Sequence, residues 1–148
     1  MSGANFMDAA FDEAEIAARA GEVPVGAVVV REGEIVARAH NRPLAERDPT
    51  AHAELLALRA AAKSLGDERL SGCDLYVTLE PCTMCAAAIS LARIRRLYYA
   101  AADPKGGAVE SGVRFFASPA CHHRPEVYGG IQAARAAELL RGFFKDKR

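Results

Sequence analysis

His52 and Glu54 stand two residues apart, and Cys82 and Cys85 stand three apart directly behind Pro81. One imidazole and two thiols can hold zinc and leave one coordination position open. Soft zinc need not recruit a hard carboxylate, so Glu54 is free to move protons. Three ligands, an open position and a spare base describe a metal that activates water. Two other readings compete with this one. The Cys-x-x-Cys could be a redox pair, or a closed structural zinc could take a fourth ligand from Cys73, Cys121, His122 or His123. A closed site leaves Glu54 and Pro81 without a role. Cys121, His122 and His123 also invite a second metal site, but adjacent residues in a loop rarely aim at one ion.

The elements that must position these residues follow from patterning and punctuation. Phe6 to Ala20 reads as a helix with Phe6, Ala10, Ile16 and Ala17 on its apolar stripe, stopped by Gly21. Val25 to Val30 and Ile35 to His40 read as a hairpin around Arg31-Glu32-Gly33-Glu34, and Asn41-Arg42-Pro43 breaks the second strand. Thr50 is the expected N-cap of the next helix, whose buried face would be Leu55, Leu56, Leu58 and Ala62, with Gly66 just past its end. Leu75 to Leu79 is a strand. Pro81 is expected at the first position of a helix running to about Ala92. Leu97 to Ala101 is a further strand, Asp103 to Gly107 a loop, Val127 and Tyr128 a short edge strand, and Ile131 to Phe144 a last amphipathic helix.

This order predicts a three-layer α/β/α sandwich, partly parallel and covered by helices on both faces. Residues two apart on a helix point in nearly opposite directions, so His52 and Glu54 can share only a site placed over the end of their helix. Cys82 and Cys85 fall in the first turn of theirs. Two helix N-termini would then converge on one metal, and their positive ends favour the thiolate form that zinc binds.

Composition is that of an ordinary globular chain: 148 residues, 51% hydrophobic and 26% charged, which suits one domain over residues 1–148. There is no run of about 20 apolar residues to span a bilayer and no basic-then-apolar leader, so the expected compartment is the cytoplasm. Nineteen basic and 19 acidic residues cancel, which is not the bulk signature of a nucleic-acid binder. Two local basic clusters remain, Arg93, Arg95 and Arg96, and the ending Arg141, Lys145, Lys147 and Arg148; charge alone favours solvated faces for both.

Nearly the whole chain, from about Phe6 to Arg148, resembles the cytidine/deoxycytidylate deaminase superfamily, and within it the bacterial tRNA-specific adenosine deaminases. The stretches that carry the resemblance are Val23 to Ala27, Asn41-Arg42-Pro43, Thr50 to Glu54, Leu75 to Cys85, Asp103 to Gly107 and Phe143-Phe144-Lys145. It implies a central mixed five-stranded sheet of the cytidine deaminase-like fold and a homodimer whose partner completes the site. It implies one zinc per subunit on His52, Cys82 and Cys85, with Glu54 as the proton-transferring catalytic residue. Asn41, Ala53, Pro81, Lys105, His123 and Phe144 match positions that meet the substrate. The implied reaction is deamination of adenosine to inosine at the wobble position of a tRNA anticodon loop. The alternative is deamination of free nucleobases or nucleosides such as guanine, cytosine or cytidine, and a third reading is a non-catalytic zinc-stabilised domain. Two stretches depart from the family: Glu110 to Phe116 replaces its Gly-Ser-Leu-type segment, and His122-His123-Arg124 replaces Asn-His-Arg.

Overall fold

A computed structural model of the chain describes residues 3–146, with side chains from Phe6 onward; Lys147 and Arg148 of the basic ending lie outside the described residues. The elements run α1 (Gly3–Arg19), β1 (Gly26–Arg31), β2 (Glu34–His40), α2 (Pro43–Glu46), α3 (Ala53–Leu65), β3 (Cys73–Leu79), α4 (Thr83–Ala92), β4 (Arg96–Ala101), a 3-10 turn (Phe115–Ala117), β5 (Glu126–Tyr128) and α5 (Ala133–Asp146). The five strands form one mixed sheet in the order β2-β1-β3-β4-β5. β1 is antiparallel to both β2 and β3, whereas β3, β4 and β5 are parallel. The mixed sheet with helices on both faces is the expected fold.

Period-two alternation divides the core between the two faces. Ala27, Val29, Leu75, Val77 and Leu97 pack with Ala57, Leu58 and Ala61 of α3 and Ala86 and Ile89 of α4. Val28, Val30, Tyr76 and Ala100 face the other way, onto Phe6, Met7, Ala10 and Phe11 of α1 and Ala136 of α5. α1 crosses β1 so closely that a side chain at Gly26 would collide with the Ala10 carbonyl, so only glycine fits there.

Four local expectations are corrected. The α1 stripe is Met7, Ala10, Phe11, Ala14 and Ala17, whereas Ile16 is exposed, because i, i+3, i+4 spacing from Met7 rotates it off the buried face. In α3, Ala57, Leu58 and Ala61 are buried and Leu55, Leu56 and Ala62 only half-buried. The segment after Asn41 is a short helix rather than a simple break. Its first N–H groups find a distant acceptor, the buried Glu22 carboxylate, which bonds the nitrogens of Leu44 and Ala45 at 3.1 and 2.8 Å. Finally, α3 and α4 begin later than expected, with consequences for the site.

Candidate metal centre and active site

Neither Thr50 nor Pro81 takes its expected place at a helix start. The N-cap of α3 is His52, in extended backbone with ψ 150°, and the N-cap of α4 is Cys82, with ψ 177°. The Thr50 hydroxyl instead bonds Asp48 at 2.7 Å within an Asx turn, and Pro81 lies one residue before the cap. A cap side chain ordinarily accepts from the first-turn N–H groups. His52 and Cys82 do neither: no side-chain cap bond forms at either helix. Their side chains turn toward each other across the gap between the two N-termini.

His52 Nδ1 lies 3.6 Å from Cys82 Sγ and 3.6 Å from Cys85 Sγ. All three donor atoms lie within 4.8 Å of one another. Zinc bonds of about 2.3 Å to sulfur and about 2.0–2.1 Å to nitrogen at tetrahedral angles imply an S···N edge of about 3.6 Å. The cradle therefore fits zinc by its edge lengths as well as its chemistry. Hydrogen bonds from Cys85 and His52 hold the Cys82 thiol down at about 4, so it is already a thiolate. The bond to Cys82 raises His52, and Cys85 keeps its proton through its bond to Cys82 and its burial.

Glu54 sits in the first turn of α3 and is 4% exposed. Burial raises its carboxyl to about 7, opposed by a bond to its own backbone N–H and, further down, by a bond with Cys85. It lies against the ligand cluster while the metal-type group among the described residues comprises only His52, Cys82 and Cys85. That is the placement a proton carrier needs.

Of the other expected site residues, Asn41, Ala53 and Pro81 come together here. Asn41 Oδ1 accepts from the Ala53 N–H at 2.8 Å, so the side chain at the end of β2 supplies the cap that His52 does not. Ala53 and Pro81 are buried beside the ligands. Lys105 is exposed on the loop after β4, at the same end of the sheet. Phe144 is exposed at 49% on α5, edge-on to Phe143 at 5.3 Å. His123 is not at this end. Its Nε2 donates to the Ile94 carbonyl at 2.8 Å just before β4, at the opposite end of the parallel strands. Cys121 Sγ bonds the His123 carbonyl and lies 3.5 Å from Ser90 Oγ, so this loop is tied down by local bonds. Phe116 is buried and edge-on to Phe115 at 6.1 Å.

One participant went unassigned in the sequence: Glu80, between β3 and Pro81. Its buried carboxylate accepts from the backbone nitrogens of Asp103, Val109, Glu110 and Ser111 and from the Ser111 hydroxyl, all at 2.9–3.0 Å. Burial alone would raise its carboxyl, but these bonds outweigh it and the net shift is downward. They fold the 103–111 loop around the residue next to the metal cradle, and the Ala108 N–H closes the wrap on the Pro81 carbonyl at 2.9 Å. A Cβ on Gly107 would stand 2.5 Å from the Glu80 carboxyl carbon, which accounts for glycine there. The available signal was a lone acid in a short run that is otherwise apolar or metal-binding.

With this geometry in place, similarity to known proteins becomes decisive. Residues 2–101 match the cytidine and deoxycytidylate deaminase zinc-binding region. The chain belongs to this family. The deaminase is 61% identical over 144 residues to a tRNA-specific adenosine deaminase of Agrobacterium fabrum, covering 97% of this chain and 95% of that one. It is 49% identical to the tRNA-specific adenosine deaminase of Rickettsia bellii, covering 96% and 99%. A solved structure from a study of A-to-I editing by tRNA:A34 deaminases superposes with a TM-score of 0.91 at 61% identity, over 92% of this chain and 99% of that one. A guanine deaminase of Bacillus subtilis matches at 42% identity with a TM-score of 0.66, over 69% of this chain and 66% of that one.

Proposed function

We propose that this deaminase, as one zinc-dependent domain, converts adenosine to inosine at the wobble position of tRNA. The observation that carries the reading is the His52, Cys82 and Cys85 cradle with the buried Glu54 beside it; near-full-length similarity to tRNA-specific adenosine deaminases supplies the substrate. His52 Nδ1 and the sulfurs of Cys82 and Cys85 would hold the metal, Cys85 giving up its proton on binding. When bound, zinc supplies a water acidic enough to serve as nucleophile near neutral pH. The net reaction is a hydrolysis in which water oxygen replaces the exocyclic amino group and ammonia leaves. Its proton transfers fall to Glu54, whose raised carboxyl can both accept and return a proton near neutrality. Asn41 spends its carbonyl on Ala53, so its amide NH₂ is the group free to orient the base. Buried Ala53 and Pro81 wall the pocket and keep water from the flipped base. Lys105 and Phe144 serve as outer contacts to RNA. His123 acts, if on the same RNA, from the far end of the sheet or from a second subunit.

The active form is a homodimer in the cytoplasm. The exposed apolar side chains of Leu91 on α4 and Val113 in the loop after β4, 67% and 64% exposed, support a subunit contact. No helix among the described residues is long and apolar enough to cross a membrane.

The test is incubation of the zinc-loaded protein with tRNA bearing A34, followed by sequencing, alongside Glu54→Gln. The wild type converts A34 to inosine, and Glu54→Gln keeps its zinc while losing roughly 10²-fold or more in kcat. Release of ammonia from guanine or cytosine but not from RNA would replace this reading with free-base deamination.

A further inference from the structure

The end of the sheet remote from the metal cradle has a feature that deamination does not use. β1 ends there at Arg31, which pairs with Cys73 at the start of β3, while Asp74 pairs with Arg96 at the start of β4. Two depressions adjoin at this end and share Ser71, Gly72 and Arg95. One, about 390 Å³, is lined by Arg69, Arg93, Arg95 and Arg124 together with His123 and Glu126. The other, about 290 Å³, adds Arg31, with Glu32 and Asp74.

Two of the acids here are already committed. Asp74 takes Arg95 in a two-pronged bond at 3.0 and 2.9 Å, and Glu126 takes Arg96 at 3.4 Å. The guanidinium groups of Arg31, Arg69, Arg93 and Arg124 have no carboxylate partner among the described residues. They come from four separate segments of the chain, which folding gathers into one groove; only Arg93 belongs to the basic run visible in the sequence. Guanidinium forks bind phosphate two-pronged, so the groove suits a phosphate-bearing anion. Its extent selects among such anions. From β1 to the start of β5 it crosses three strand spacings of about 4.8 Å, or about 14 Å. That is too long for one phosphate and suits a chain of them.

We propose that this groove binds the phosphodiester backbone of the RNA substrate outside the anticodon stem-loop. The proposal rests on RNA being the substrate. The seven residues of β3, at about 3.3 Å each, separate the groove from the cradle by roughly 20 Å, so a base at the cradle and a phosphate in the groove belong to different parts of one RNA.

The experiment compares wild type with Arg69→Gln/Arg124→Gln on full-length tRNA and on an isolated anticodon stem-loop, across a salt series. Both residues are exposed, and Arg93 is left intact because it caps α4 with φ 64°. Arg59→Gln/Lys63→Gln on α3, neither of which lines the groove, matches the charge change. Expected is a roughly ten-fold higher Kd for tRNA, a salt slope shallower by about 1–2, and an unchanged stem-loop Kd. Turnover of saturating stem-loop is also unchanged. Equal loss on both RNAs, equal loss in the α3 control, or no loss on tRNA overturns the groove while A34 conversion stands. Wild type that neither binds nor converts any RNA overturns both.

Discussion

The N-termini of α3 and α4 each present a metal ligand at the cap position, yet they are secured by different means. At α3 the missing cap is replaced by one neutral bond, from the Ala53 N–H to Asn41. At α4 no side chain replaces it. The approach to Cys82 is instead fastened from behind by the Glu80 carboxylate, which gathers four backbone N–H groups and a hydroxyl. The α3 side supplies His52 and the proposed proton carrier Glu54, and the α4 side supplies both thiols. The heavier fastening lies where two ligands must hold their spacing. A cap position used for coordination costs the helix its local cap, and the tertiary structure has to provide another.

The largest break should come from the ligands themselves. His52→Ala or Cys82→Ala is expected to abolish stoichiometric zinc and turnover and to lower Tm, since metal affinity is part of folding free energy; metal analysis and calorimetry check this. Unchanged zinc content in either variant would refute the cradle.

Next comes the α4 fastening. Glu80→Ala strands several buried N–H groups, each worth about 1–3 kcal/mol, so a loss of at least about 3 kcal/mol in denaturant unfolding is expected. Zinc should be held less tightly. Gly107→Ala, which pushes a methyl group into the same carboxylate, is expected to reproduce the defect in milder form.

The smallest stability effect is expected at α3. Asn41→Ala removes one cap-like bond, for about 0.5–2 kcal/mol. Its loss of kcat/KM should exceed what that destabilisation explains, because the same amide is the group proposed to orient the base. A stability loss equal to that of Glu80→Ala would erase the contrast between the two helix starts.

Much of the fold could be read from the chain. The apolar run Val25 to Val30 and the breaks at Gly21, Gly33 and Gly66 mark elements by local conformational preference, and each occurs where local chemistry demands it. The misread positions share a cause. Thr50 and Pro81 have the right local preferences for a helix start, but Asp48 claims the first and the second turns its carbonyl to the Ala108 N–H instead of into the helix. α2 has no buried residue of its own and depends on Glu22, 22 residues away from Leu44. Glu80 went unassigned because its partners lie 23 to 31 residues further on.

Residue type and spacing alone determined the chemistry: His52, Cys82 and Cys85 as soft donors with Glu54 in reserve, since ligand preference is a property of the side chain. Which atoms meet, and by what support, was decided only in three dimensions. His52 could have offered either ring nitrogen, and the packing of α3 against α4 selects Nδ1 at 3.6 Å from both thiols. The arginine groove followed the same rule. Formal charge sums to zero along the chain, but pairing is a matter of distance, and folding leaves four guanidinium groups at one end of the sheet with no carboxylate in ion-pair contact among the described residues.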